Sequence, residues 1–212
     1  MEKHALSKLK LYHAVPSRAS TAQWMLEEIG EPYETVLLDL MAGDQRKPEY
    51  LALNPMGKVP TLVDGSLVVS EVSAICCYLA DAYPKAGLAP AIGDARRGAY
   101  LKWLFFGPSC LEPAITDKAM QRDQVPRSTA GWADYDTVVE VLRGAVAKGP
   151  YLLGEQFTAA DVVIGSGIRW GLMFKMLPEL PEFTTYTQRL AERPALQRQI
   201  AKDQALAQKD VS

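Results

Sequence analysis

Three groups of residues in the first half of this chain have the types and spacing to do chemistry. The first is a pair of hydroxyls, Ser17 and Ser20, in His13-Ala14-Val15-Pro16-Ser17-Arg18-Ala19-Ser20-Thr21. They stand just ahead of Ala22, Met25, Leu26 and Ile29, which recur at helical spacing. A hydroxyl at the start of a helix either caps a free backbone N–H or joins those N–H groups in holding an anion. The second group is the loop Asn54-Pro55-Met56-Gly57-Lys58-Val59-Pro60, which runs into the apolar Thr61-Leu62-Val63. A proline at a strand entrance takes a first-strand position or the cis form, and the cis form turns the preceding backbone outward. Outward N–H and C=O groups can pair with an extended peptide as with an added strand. The plainer alternative is a tight loop that starts a strand. The third group is Glu71, ahead of the helical stripe Val72, Ile75, Cys76 and Leu79. It serves the helix dipole or meets a cation.

Other chemistries find less to build on. Among 212 residues, 23 Lys and Arg against 25 Asp and Glu give a net charge of −2, with the two signs interspersed, so no surface is marked for nucleic acid or an anionic membrane. No run of about 18 apolar residues marks a transmembrane span. Met1-Glu2-Lys3-His4-Ala5-Leu6-Ser7-Lys8 lacks the apolar core of a secretory signal. Cys76, Cys77 and Cys110 form no Cys-x-x-Cys, and with only His4 and His13 there is no metal-ligand spacing. A reduced cytoplasmic protein that holds no metal is the expectation.

The elements that must position the three groups can be read from the same periodicities. Leu9-Lys10-Leu11-Tyr12-His13 reads as a strand, Ala22 to Ile29 as a helix stopped by Gly30, and Thr35-Val36-Leu37-Leu38 as a second strand. After a short helix or loop, Thr61–Val63 and Leu67–Val69 flank the hairpin signal Asp64-Gly65-Ser66. The order β-α-β-(short helix or loop)-β-β-α is a small α/β unit over residues 8–83. Residues 84–92, rich in turn formers, read as a linker. Residues 93–206 read as helices: Asp94 past Phe106, Trp132 to Val146, Ala159 to Phe174, Thr184 to Leu190 and Ala195 to Ala205. Thr158 with Asp161 reads as a capping motif that serves stability.

That order, with a proline at the entrance to the third strand, resembles the thioredoxin-like domain of the cytosolic glutathione transferase superfamily. Trp24 to Glu34 is similar to the family's first helix and second-strand entry, Asn54 to Pro60 to its glutathione loop, and Ser70 to Leu79 to the start of its third helix. Phe157-Thr158-Ala159-Ala160-Asp161 is similar to a helix start in its all-helical domain. The resemblance implies an N-terminal thioredoxin-like domain, a C-terminal all-helical domain, and a homodimer.

It also implies roles. A free thiol with a pKa near ~8.5 is only a few per cent thiolate at neutral pH, and the thiolate is the nucleophile. Lowering that pKa by about two units takes roughly 2.7 kcal/mol of preferential stabilisation of the anion. Ser17, five residues beyond Tyr12, matches the spacing of the catalytic serine in the theta-like branch, and Ser20 is its competitor. Val59 is implied to present its backbone to the cysteinyl part of glutathione, with Pro60 fixing that orientation. Lys58 is implied to pair with the glycyl carboxylate and Glu71 with the γ-glutamyl ammonium. Val72 replaces the family's usual serine, which removes one donor to the γ-glutamyl carboxylate. His13, Trp103 and Phe106 are candidates for the wall of the hydrophobic site.

The function implied is conjugation of the glutathione thiolate, with glutathione as co-substrate, to a small hydrophobic electrophile. A glutathione-dependent disulfide or peroxide reductase is one alternative. A non-catalytic binding module that keeps the fold is another, and Val72 is the feature that favours it.

Overall fold

Leu9, Leu11 and His13 are buried while Lys10 and Tyr12 between them are half-buried, the period-two pattern of a strand with one covered face. The computed structural model describes residues 9–123 and 125–209. The leader reading at residues 1–8, including His4, and part of the polar ending lie outside these. Strand β1 (Leu9–His13) leads to helix α1 (Ala19–Ile29), then strand β2 (Tyr33–Leu37), a 3₁₀ turn at Asp44–Arg46 and the short helix α2 (Pro48–Leu51). Strands β3 (Thr61–Asp64) and β4 (Leu67–Ser70) form a hairpin, and helix α3 (Val72–Ala82) follows. Gly30 ends α1 in the left-handed conformation, with its N–H bonded to the Leu26 carbonyl.

The four strands run in the order β2-β1-β3-β4. β1 is parallel to β2, while β3 is antiparallel to both β1 and β4. Helices α1 and α3 pack against each other, burying Trp24, Met25, Leu26, Ile75, Cys76 and Leu79 together with Leu9, Leu11 and Leu62 of the sheet. This is the thioredoxin-like arrangement read from the sequence.

The chain divides into two units, residues 1–86 with 194–212, and residues 87–193. The far end differs from expectation, because helix α9 (Pro194–Lys209), assigned from the sequence to the helical region, belongs to the first unit and packs on α1. Charge explains the attachment. Glu27 of α1, almost fully buried, accepts from Lys202 Nζ, from Arg198 Nε at 2.9 Å and from Tyr33 Oη at 2.6 Å. Arg198 also donates from Nη2 to the Glu27 carbonyl at 2.8 Å. Burial alone would push the Glu27 carboxyl up. The hydrogen bonds from Lys202, Tyr33 and Arg198 outweigh it and hold the group below its ordinary value.

The second unit comprises α4 (Arg97–Phe106), α5 (Glu112–Ala119), α6 (Tyr135–Val146), α7 (Ala159–Met173) and α8 (Pro181–Ala191). The helix expected to run past Phe106 widens into a π turn at Gly107–Leu111 before continuing as α5. Pro108 cannot donate to the ladder, and Gly107 lies so close to α7 that a Cβ there would sit 2.8 Å from Val163 Cγ1. The wide turn breaks the helical register between Phe106 and Cys110. Helix α7 starts with the expected capping box, Thr158 with Asp161. Asp161 is buried and also accepts from Leu152 N–H at 2.9 Å and Tyr186 Oη at 2.8 Å. Among the described residues no helix is long and apolar enough to cross a membrane.

The sign of the Glu27 shift sets a pH dependence. A carboxyl held below its ordinary value of 4.5 contributes stability above that pH and loses it as pH falls through the lower folded value. Glu27→Gln is expected to lower the thermal midpoint at neutral pH by about 4 °C, given about 1.5 kcal/mol for hydrogen bonds to a charged group. The gap between wild type and Glu27→Gln, followed by thermal melts, is expected to close as pH drops below 4.5. A gap that stays constant down to the acid limit contradicts this account of how α9 is held.

Candidate active site

Strand pairing brings the three groups of residues to one end of the sheet. Thr61, the first residue of β3, pairs with Tyr12 of β1 on one side and with Ser70 of β4 on the other. β1 therefore leaves the sheet beyond His13 where β3 enters it from the Asn54–Pro60 loop, and β4 leaves at the same end into Glu71. The Ser17 turn, the Val59 loop and the start of α3 share that end.

The entering loop is held from within. Asn54 is buried; its Nδ2 donates to the Lys58 carbonyl at 2.9 Å and its Oδ1 accepts from Met56 N–H at 3.1 Å. Tyr50 of α2 donates to the same Lys58 carbonyl at 2.5 Å. Its single proton is thereby used, so the Thr61 hydroxyl, 2.8 Å away, donates to Tyr50. Gly57 has φ +59°, and a Cβ there would lie 3.0 Å from the Gln45 carbonyl oxygen, so the turn favours glycine on both counts. The Val59–Pro60 bond is cis. Among the described residues the N–H and C=O of Val59 have no partner, and Lys58, exposed, forms no ion pair. A cavity of about 250 Å³ beside this loop is lined by Tyr12, Leu38, Asp44, Lys47, Glu49, Tyr50 and Leu53.

Glu71 is the cap residue of α3, with φ 70° and ψ 122°, and its side chain is exposed. Such a conformation costs a non-glycine residue on the order of 1–3 kcal/mol and is found where surrounding structure imposes it, often at binding sites. The Glu71 side chain makes no capping bond to α3, whose first residue is Val72. The first-turn N–H groups of a helix without such a cap are donors for an anion.

The Ser17 turn separates the two serines. The cap residue of helix α1 is Arg18, which makes no side-chain cap bond. Ser17 Oγ donates to the Ala14 carbonyl at 2.5 Å and accepts from Ala19 N–H at 3.1 Å. Ser20 Oγ donates instead to Oδ2 of Asp203, on α9, at 2.5 Å. Asp203 Oδ1 accepts from His13 Nε2 at 2.8 Å, and its Oδ2 also accepts from Gln199 Nε2 at 2.7 Å. Burial would push the Asp203 carboxyl up, but hydrogen bonds from His13, Ser20 and Gln199 leave it below the usual carboxylate value. A hydroxyl bonded to a carboxylate is harder to redirect than one bonded to a neutral carbonyl, because charge-assisted bonds are about twice as strong. Of the two serines, Ser17 is the one whose proton rests on a neutral acceptor.

His13, expected on the wall of the site, is fully buried with its ring on Asp203, so it has no surface to offer a substrate. Trp103 and Phe106 stand on α4 of the helical unit, with ring centroids 5.3 Å apart, Trp103 buried and Phe106 half-buried. A wider cleft in that unit, about 740 Å³, is lined by Trp132, Tyr135 and charged residues of α5 and the segment before α6, and by neither of those two aromatics. Burial pushes the thiols of Cys76 and Cys110 up, so neither is an activated thiolate. Among the described residues no cluster of His, Cys, Asp or Glu has the makings of a metal site. Sequence reasoning missed Asp203, which meets residues some 190 positions away, and Tyr50, which carries no local signal.

The family model for the glutathione S-transferase N-terminal domain matches residues 7–81. Glutathione S-transferase hmp2 of Hypomyces subiculosus is 32% identical to the chain over 167 residues, spanning 73% of this chain and 78% of hmp2. The chain belongs to the glutathione S-transferase family. It is also similar to disulfide-bond oxidoreductase YfcG of Escherichia coli (strain K12), 28% identical over 210 residues, 92% of this chain and 96% of that one. Its fold matches that of a solved glutathione transferase homolog from Lodderomyces elongisporus, determined with two GSH per subunit. The TM-score is 0.75 at 25% identity, covering 92% of this chain and 98% of that chain. The thioredoxin-like unit and the helical unit are those of a glutathione S-transferase.

Proposed function

We propose that this chain is a serine-type glutathione transferase of the theta-like kind, and that Ser17 holds the bound glutathione as thiolate. The observation that carries the reading is the meeting, at one end of the sheet, of unpartnered Val59 backbone, the start of α3 behind a strained Glu71 whose side chain does not cap it, and the Ser17 hydroxyl on a neutral acceptor. Glutathione lies extended along Val59, its cysteinyl amide pairing as an added strand. Its γ-glutamyl carboxylate meets the N–H groups at the start of α3, where Val72 offers no hydroxyl, and its ammonium meets Glu71. Lys58 pairs with the glycyl carboxylate. The thiol proton passes to solvent, the Ser17 hydroxyl turns from Ala14 to donate to sulfur, and the thiolate attacks an apolar electrophile. A carbon–sulfur bond forms and the leaving group departs with its electron pair.

A disulfide reductase using the same site is the second reading, supported by the similarity to YfcG. Here the bound thiolate attacks the substrate disulfide and expels one substrate thiolate, and a second glutathione thiolate attacks the resulting mixed disulfide, forming glutathione disulfide and expelling the other. Rates on a disulfide-bonded substrate and on an aromatic halide separate the two.

Calorimetric titration with glutathione, followed by the thiolate absorbance of the complex against pH, tests the serine assignment. One hydrogen bond to a charged group is worth about 1.5–3 kcal/mol, or roughly one to two pKa units. Ser17→Ala is expected to move the thiolate curve up by about that much, with Ser20→Ala close to wild type. If Ser20→Ala moves the curve and Ser17→Ala does not, the role passes to Ser20. No heat and no thermal shift at millimolar glutathione sinks the function.

We also propose a homodimer, as is common for two-fold homo-oligomers, for which exposed Leu67 and Val68 on the edge strand β4 and exposed Met56 provide apolar surface. Sedimentation at micromolar protein is expected to give twice the single-chain mass of 23.3 kDa. A single-chain mass rules the dimer out.

A further inference from the structure

We propose that Asp203 is a positioning residue for Ser17, holding both ends of the turn that carries it. The proposal rests on the assignment of Ser17 to the thiolate made above. His13 is the last residue of β1 and Ser20 the second residue of α1, so the chain between them is the whole turn. One carboxylate grips both, through His13 Nε2 at 2.8 Å and Ser20 Oγ at 2.5 Å. The carboxylate is itself fixed by Gln199 Nε2 at 2.7 Å, and only 17% of the Asp203 side chain is exposed.

Several bonds close within the turn. Ser17 Oγ reaches Ala14 and Ala19, the Ser17 carbonyl accepts from Ser20 N–H at 3.3 Å, and the Arg18 carbonyl accepts from Thr21 N–H at 3.1 Å. These bonds hold the turn's shape, and the Asp203 carboxylate fixes its two ends. Buried His13 and half-buried Ser20 both donate to this carboxylate; removing it leaves two donors to find other acceptors, and the ends shift. A donor to an anion is effective only when preorganised, and a misplacement of about 1 Å is enough to cost on the order of a hundredfold in rate. The same carboxylate withdraws Ser20 from competition, so it sets both where Ser17 stands and which serine is available.

The test is a set of thiolate titrations on glutathione complexes of wild type, Asp203→Ala, Ser17→Ala and the double variant. Asp203→Ala is expected to raise the apparent thiol pKa by about half to one unit, a three- to tenfold loss of thiolate near neutral pH, with the glutathione dissociation constant within about threefold of wild type. Because Asp203 acts through Ser17, the double variant is expected to match Ser17→Ala alone rather than to add the two shifts. Asp203→Asn, which keeps the shape, is expected to move the curve the same way by less, and it stands in for Asp203→Ala if the latter does not fold.

An Asp203 curve that coincides with wild type while Ser17→Ala moves, or shifts that add in the double variant, overturns the positioning role and leaves the serine reading intact. A Ser17→Ala curve that coincides with wild type overturns the serine reading, and this proposal with it.

Discussion

Thr61 is paired with Tyr12 on one side and Ser70 on the other, and that double pairing governs the rest of the first unit. An antiparallel strand between two others puts its own start beside both neighbours' ends. A one-residue slip would turn Leu62 out of the core and move every loop at that end by a strand step. The register is secured on both faces of the pairing. Leu62 is buried against Leu11 and Val69 in the ladder, and the Thr61 hydroxyl is tied through Tyr50 to the Lys58 carbonyl. The loop that leaves Val59 open is thus anchored by the strand it enters.

Electrostatics adds a second level of control, supplied by one helix. Helix α9 contributes Arg198 and Lys202 to the Glu27 carboxylate, and Asp203 to His13 and Ser20. These contacts differ in kind. The Glu27 cluster neutralises a nearly buried charge on α1 and sets how firmly α9 is attached. The Asp203 cluster meets the chain on both sides of the Ser17 turn, where small displacements matter to an anion. Any change that loosens α9 therefore acts on the candidate site through the turn.

Much of this architecture was legible in the residues. Period-two and helical stripes marked β1, α1, β3, β4 and α3, and the Asp64-Gly65-Ser66 signal marked the hairpin, because each is a local pattern. The capping pair Thr158 and Asp161 was legible for the same reason. What escaped reading depends on tertiary contact. The π turn at Gly107–Leu111 needs α7 pressed against Gly107 as well as Pro108 in the chain. The positive φ of Glu71 follows from the junction of β4 with α3, and glutamate carries no signal for it. His13 looked like a site residue because its polar ring falls at the strand end beside the serines. Its partner lies 190 residues away, on a helix whose stripe says only that it packs somewhere.

A crystal structure of the protein with glutathione soaked in tests the central claim most directly, because it shows which hydroxyl faces sulfur. The account predicts the peptide extended along Val59, the sulfur within hydrogen-bonding reach of Ser17 Oγ, and Ser20 still on Asp203. A sulfur facing Ser20, with the Ser20–Asp203 bond broken and Ser17 still on Ala14, would contradict it.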